Sequence, residues 1–405
     1  MAAAKFLAHR EVSDLCLGKP ALRSLSLSAT VAEAISALQS SDHHDTFLSL
    51  WTCHHEEDGL DSDLSSHSCK CIGKICMVDL ICFLCREDSL ISPAAALLSP
   101  LSLLFPPSVP SLVAHVEPSC SLGEAIDLIL KGAQNLVVPI RARQSWMRKK
   151  QQQKQKLSSS TFHNGREYCW LTQEDVIRFF LSSIAIFSPL PALSIDSLGI
   201  ITTDVLTIEY HSPASSALEA ISASLADQTS VAVVDSDGIL MGEISPFALS
   251  SCDETVAAAI TTLSAGELMA YIDCGRPPED LARVVTAGLK RRGLEAMLDE
   301  FNNFVISSNS SLSSSSSSSS SSEDEDTPRA VSMSSRKQYN RSMSYSARMV
   351  RRAEAIVCHP KSSLVAVMVQ AIAHRVNYVW VMEEDCSLVG IVTFASILRV
   401  FREHF

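Results

Sequence analysis

Glycine is scarce in this chain of 405 residues, with 14 in all. Nowhere are they spaced as a backbone cradle for a nucleotide's phosphates requires, which removes the dinucleotide and P-loop classes. Basic side chains are outnumbered, 33 Lys and Arg against 45 Asp and Glu, for a net charge of −12. A general nucleic-acid binder would carry a basic face, so that class falls too. The most apolar window, Ser92–Val116, is interrupted by Pro93, Pro100, Pro106, Pro107 and Pro110. A span needs roughly 20 mostly apolar residues with its backbone bonds closed internally, so this stretch reads as a connector. Met1–Arg10 is too short for a signal peptide, and repeat-like sequence starts by Val12. The 13 cysteines lack even spacing and read as reduced thiols in an intracellular, cytoplasmic protein. No Ser/His/Asp set or carboxylate pair sits in a setting that would activate it, which argues against an enzyme.

What the chain does have is an echo. Ala32-Glu33-Ala34-Ile35 returns as Glu124-Ala125-Ile126 and Glu219-Ala220-Ile221, each with a hydroxyl three places before the Glu: Thr30, Ser121 and Ser216. Ser/Thr-x-x-Glu predicts a capping box, in which the hydroxyl takes an orphan N–H and the Glu reaches back. An amphipathic run and a short apolar strand follow each time: Thr46–Trp51, Asn135–Ile140, Ser230–Asp235. A fourth copy lacks the Glu but keeps the order, with a helix over Ser362–Ile372 and a strand over Asn377–Met382. Four ordered copies amount to an internal repeat.

Each unit reads strand–helix–strand–strand–helix, an α/β class. The units occupy 12–86, 90–183 with a basic insert at 141–166, 192–251, and 263–403 with an insert at 275–350. Pro189 and Pro191 mark the boundary between halves. Glu279–Phe304 reads as one helix, with Pro278 before it and acids in its first turn. Ser313–Ser322 and Glu323–Asp326 cannot bury anything and read as disordered.

Ser230–Ser245 (Ser-Val-Ala-Val-Val-Asp-Ser-Asp-Gly-Ile-Leu-Met-Gly-Glu-Ile-Ser) and Leu388–Thr393 carry a family resemblance. The units resemble CBS repeats, which pair into Bateman modules; four of them in an acidic chain are most similar to plant four-CBS proteins, and more distantly to gamma subunits of AMP-activated kinase. The resemblance implies two modules with no chemistry of their own. They would bind AMP, ATP or S-adenosylmethionine and modulate a partner enzyme, and a homodimer is among the assemblies it allows. The alternative is a purely structural interaction scaffold with degenerate sites.

The resemblance also implies site positions. After the last strand the family pattern is Gly-x-x-Ser/Thr-x-x-Asp: the hydroxyl caps a helix whose N-terminus favours phosphate, and the Asp accepts from ribose hydroxyls. Thr172 and Asp175 match in the second repeat, where Cys169 replaces the Gly. Gly73 and Asp79 match in the first, where Cys76 replaces the hydroxyl. Ser245 and Thr393 match in the third and fourth, but Ala248 and Ser396 stand where Asp is expected. His374-Arg375 lies roughly where kinase gamma subunits carry a basic pair, so Arg375 is either a ligand contact or a solvated cation.

Three other tracts invite chemistry. Cys82-x-x-Cys85 has zinc-like spacing, but a second such pair is missing, so buried thiols are the better reading. Arg141–Lys156 reads as a flexible charged loop. Ser342 and Ser344 follow Arg341 and suit a base-directed kinase; phosphates there could pair with Arg348, Arg351 or Arg352.

Overall fold

The computed structural model describes residues 6–7, 9–40, 47–52, 69–105, 112–140, 162–274, 278–310 and 353–404. Residues 141–161 of the basic insert, the Cys53–Ser68 loop, the serine tract, Ser342, Ser344 and the arginines at 348, 351 and 352 lie outside them.

Four small sheets stand one per repeat. Repeat 1 has β1 (Ser24–Ser26), β2 (Phe47–Trp51) and β3 (Cys71–Cys76) in the order β1-β2-β3. Repeat 2 has β4 (Val113–His115), β5 (Asn135–Ile140), β6 (Phe162–His163) and β7 (Arg166–Thr172) in the order β4-β5-β7-β6. Repeat 3 has β8 (Thr207–Glu209), β9 (Val231–Val234) and β10 (Leu240–Ile244); repeat 4 has β11 (Val357–Cys358), β12 (Tyr378–Met382) and β13 (Leu388–Thr393). In every repeat the first strand runs parallel to the second and the last antiparallel to it. A parallel pair needs a helical crossover, supplied by Val31–Gln39, Leu122–Leu130, Leu218–Asp227 and Leu364–His374.

Apolar faces decide how the repeats assemble. The sheets of repeats 1 and 2 meet through Trp51, Val137 and Tyr168, and those of repeats 3 and 4 through Ala232, Tyr378, Trp380 and Ile391. Helices pair the other way. Val31, Ile35, Leu80 and Ile81 of repeat 1 share a core with Ile221, Leu249 and Val256 beside repeat 3. Ile126, Val176 and Phe180 of repeat 2 share another with Met368, Ile397 and Phe401 of repeat 4, where the rings of Phe180 and Phe401 stack at 4.5 Å. Each repeat thus touches two others, and the four close into a ring. Phe187 and Leu190, at the expected boundary between halves, are buried in that second core.

Several sequence expectations shift. Thr30 and Ser121 form their capping boxes with Glu33 and Glu124, but Ser216 does not. A 3₁₀ turn over Ala214–Ala217 precedes the helix, and Ser216 Oγ donates to Pro213 O at 2.7 Å instead. The stretch from Leu263, expected to open repeat 4, becomes the helix Ala265–Asp273, which shares the core of repeats 1 and 3; the described strands of repeat 4 start at β11. The single helix over Glu279–Phe304 is two, Glu279–Arg292 and Glu295–Ser310. Gly293 separates them in the left-handed region at φ 68°, a C-cap that residues with a Cβ reach only at a cost. Cys69 is disulfide-bonded, which departs from reduced thiols throughout.

Candidate functional site

The residue that ends the last strand, or in repeat 3 directly follows it, is the N-cap of the next helix. Thr172 Oγ1 accepts from Asp175 N at 3.2 Å, Ser245 Oγ from Ala248 N at 3.1 Å, and Thr393 Oγ1 from Ser396 N at 3.1 Å. In repeat 1, Cys76 N donates to Asp79 Oδ2 at 2.8 Å. Desolvation raises the Asp79 carboxyl above its usual range and pushes the Cys76 thiol well up, so Cys76 stays a neutral cap.

Asp175 is engaged from three directions at one oxygen. Oδ2 accepts from Thr172 N at 2.7 Å, from Thr172 Oγ1 at 2.7 Å, and from the Lys19 ammonium at 2.5 Å. Lys19 also donates to Trp170 O at 2.8 Å. A residue from ahead of the first strand therefore occupies the carboxylate expected to receive a ribose.

The helix caps do not stand alone. Cys76 and Thr172, from repeats 1 and 2, line one cavity of about 300 Å³ where all four repeats meet. Phe47, Lys74, Asn135 and Glu174 also line it from the first module; Gln228, Phe247, Arg375 and Tyr378 are among those lining it from the second. Asp79, Asp175, Ser245 and Thr393 are not among its lining residues. Hydrogen bonds connect the repeats in sequence around it. Lys74 Nζ donates to Asn135 Oδ1 at 3.0 Å, Gln228 Nε2 to Gln134 O at 3.1 Å, and Asn377 Nδ2 to Gln228 Oε1 at 3.1 Å.

Backbone geometry marks the same place. Gln228 and Arg375 end equivalent helices in repeats 3 and 4, both left-handed, at φ 56° and φ 59°. Gly would be the ordinary choice there, and a side chain costs of order 1 kcal/mol or more. Here the cost keeps two polar side chains on the cavity.

The cavity's electrostatics favour an anion. Lys74 lies over the Phe47 ring at 4.6 Å, and desolvation lowers its ammonium to about 8. Neither Lys74 nor Arg375 pairs with a carboxylate among the described residues. Glu174, the acid on the wall, is taken by Arg178 at 2.6 Å. The helices Met77–Leu84 and Gln173–Ser182, whose caps line the cavity, add their N-terminal dipoles. Sequence reasoning weighed Arg375 but passed over Lys74, Asn135 and Gln228. The signal was there for Lys74, a lone charge in the otherwise apolar strand Cys71–Cys76.

The remaining constellations resolve more simply. No group of three or more potential metal ligands occurs among the described residues. Cys85 is buried with Sγ donating to Ala257 O at 3.8 Å, and burial raises the Cys82 thiol to about 12. Among the described residues no helix is long and apolar enough to cross a membrane.

Comparison with known proteins agrees with this architecture. Residues 347–403 match the CBS domain family. The chain is 51% identical over 400 residues to the CBS domain-containing protein CBSX5 of Arabidopsis thaliana, covering 97% of this chain and 96% of that one. It is 26% identical over 432 residues to CBSX6 of the same plant, covering 98% and 94%. A crystal structure from Methanocaldococcus jannaschii, of a putative archaeal homolog of g-AMPK, shares the fold with a TM-score of 0.52 and 13% identity, over 97% of this chain and all of that one. Four copies of one α/β unit, and half-identity along almost the whole length, place this chain in the family of plant CBS domain-containing proteins.

Proposed function

We propose that this chain is a regulatory protein with no chemistry of its own. It binds an adenosine nucleotide by its phosphates at the junction of the four repeats, and passes its state to a partner enzyme. One observation carries the reading: Lys74 and Arg375 reach one cavity from opposite modules, neither paired with a carboxylate among the described residues. Two cations without a carboxylate at salt-bridge distance among the described residues, beside two helix N-termini, suit phosphate oxygens better than a neutral ligand, although Asp79 acts on Lys74 from further off. A phosphate there joins the modules, since its ligands come from both.

A second reading has its own support. Ala248 and Ser396 stand where ribose acceptors are expected, and Lys19 holds Asp175. These favour a scaffold whose sites have decayed. Thermal melting separates the two. At 100 times its Kd a ligand stabilises the fold by about 2.7 kcal/mol. AMP and ATP should raise the melting temperature, adenosine and S-adenosylmethionine should do so less, and Lys74→Met should abolish the difference. Equal shifts from adenosine and AMP overturn phosphate recognition; no shift from any of the four leaves the scaffold. Asp175→Ala reports on the ribose, since only a ligand that displaces Lys19 will lose affinity there. Phosphorylation at Ser342 and Ser344, docking the insert beside repeat 4, belongs to the same reading. Phosphomimetic changes at both should alter partner binding and protease sensitivity.

A further inference from the structure

The two modules treat the connector between their repeats differently. In the second, the helix Val256–Thr262 follows repeat 3, and its residues from Val256 to Ile260 are fully buried. One side meets the core of repeats 1 and 3, and the insert's helix Glu279–Arg292 covers the other. The cover is tight. A Cβ on Gly288 would stand 2.8 Å from Thr262 Cβ, and Arg292 Nη1 donates to Thr261 O at 2.9 Å. In the first module the helices Glu87–Ile91 and Pro93–Leu98 and the 3₁₀ turn Leu101–Leu103 hold the same place in chain order. Their inner side is buried through Leu90, Ala96 and Leu101. Their outer side is open: Ile91, Leu98 and Leu103 are 65%, 73% and 54% exposed, and Ala94 and Ala95 lie exposed between the first two. Ile91, Ala94, Ala95 and Leu98 keep the i, i+3, i+4, i+7 spacing of a helix face built to pack. The insert's second helix, Glu295–Ser310, meets Glu87–Ile91 at the edge of this stripe and adds an exposed Ile306.

We propose that this stripe is where a second copy of the chain docks, stripe against stripe about a twofold axis. Charge selects that occupant. Between Asp88 and Glu117 the sequence holds no Asp, Glu, Lys or Arg, so the connector itself offers no charge to orient or discriminate a foreign protein. Interfaces between copies are the more apolar kind, and a face that meets itself needs no complementary charge. At −12, the rest of the surface pushes copies apart. An uncharged face is where they can close. A lipid surface fits less well, since an interfacial helix sets Lys and Arg beside its apolar side and this connector has neither. The copy would bury at the first connector what Glu279–Arg292 buries within the chain at the second.

The pairing needs no nucleotide, so its failure leaves the function proposed above untouched. The full-length chain is followed by sedimentation equilibrium over a concentration series. The mass of one chain should give way to that of two, and added salt should move the midpoint to lower concentration by screening the repulsion. The double variant Ile91→Glu, Leu98→Glu should keep the mass of one chain throughout, with the melting temperature of the dilute wild type, because both side chains are exposed. Leu98→Ser, which adds no charge, should weaken the pairing in the same direction. Val369→Glu, at an exposed position of the helix Leu364–His374 in repeat 4, should pair as the wild type does. One-chain mass at every concentration overturns the proposal, including the case in which the chain sediments with phosphatidylcholine vesicles instead. So does a two-chain mass that the double variant retains, or one that salt dissolves.

Discussion

The two modules build one sheet-to-sheet interface in two ways. In the first, Trp51 stacks on His163 with ring centroids 3.7 Å apart and packs near Tyr168; its Nε1 donates to the Ser49 hydroxyl at 2.9 Å. In the second, Trp380 Nε1 donates to Glu243 Oε2 at 2.6 Å, and Tyr378 OH to Glu243 Oε1 at 2.8 Å. A buried indole N–H needs an acceptor. A neighbouring hydroxyl satisfies it in one module, and in the other a buried carboxylate that pairs with no cation among the described residues. The duplicated strands kept their aromatic bulk and diverged in what satisfies its polar edge. That divergence matters because Tyr378 also lines the central cavity.

Removing the shared element should break the comparison most visibly. Both indoles are fully buried. Trp380→Ala and Trp51→Ala should each cost about 3–5 kcal/mol in chemical denaturation. Trp380→Ala should be the worse, because it strips a donor from a buried carboxylate while Trp51→Ala frees only a hydroxyl. Equal losses would show that the carboxylate gains nothing from the indole.

The carboxylate itself sets the next contrast. Desolvation pushes Glu243 up to about 7 from an ordinary 4.5, against the donors that favour its ionised form. The folded state therefore binds more protons than the unfolded state between about pH 4.5 and 7. Stability contributed by this group is present at the acid end of that window and falls as pH rises through it, by about 3 kcal/mol in all. Glu243→Gln should flatten that slope in urea denaturation across the window. An unchanged slope means other groups set it.

How much of this could be read from the chain differs by distance. The repeats were legible because strand, helix and turn signals are local and recur four times. Thr172 and Asp175 were legible as a capping pair for the same reason. Lys19 on Asp175 was not, since nothing local links a residue before the first strand to one in the second repeat. Glu243 was equally hidden, since nothing local links it to Tyr378 and Trp380 of repeat 4. One miss was avoidable: Lys290-Arg291-Arg292-Gly293 places cations in a last turn before a Gly, a helix-end signature. The absent third capping box was not, because Pro213 imposes a tighter turn that the Ser-x-x-Glu pattern does not reveal.

Lys74 sharpens the comparison at the cavity, where the first module offers a lysine and the second Arg375. Its pKa lies near 8 in the fold, below the unperturbed 10.5. Above about pH 8 the folded state carries fewer protons there than the unfolded state, so this group's penalty on stability fades as pH rises toward 10.5. A bound phosphate reverses that preference and draws the proton back. AMP affinity, followed by calorimetry, should therefore drop on going from pH 7.5 to 9. In Lys74→Met it should be weaker throughout, by roughly 1–3 kcal/mol for a lost charge-assisted bond, and flat over the same range. A mutant that keeps the pH dependence would move the titration elsewhere.

The smallest effect tests the repeats at their outer helices. Ser121 forms a full capping box, its Oγ accepting from Glu124 N at 3.2 Å while Glu124 Oε2 accepts from Ser121 N at 3.1 Å. Ser216, at the matching place in the sequence pattern of repeat 3, caps nothing and donates to Pro213 O. Ser121→Ala should cost about 1 kcal/mol, and Ser216→Ala should stay within about 0.5 kcal/mol, as for an exposed residue outside any cap. Denaturation midpoints with an unchanged m-value would measure both. If Ser216→Ala costs as much as Ser121→Ala, the 3₁₀ turn depends on that hydroxyl, and the two repeats begin their helices with equal commitment to serine by different bonds.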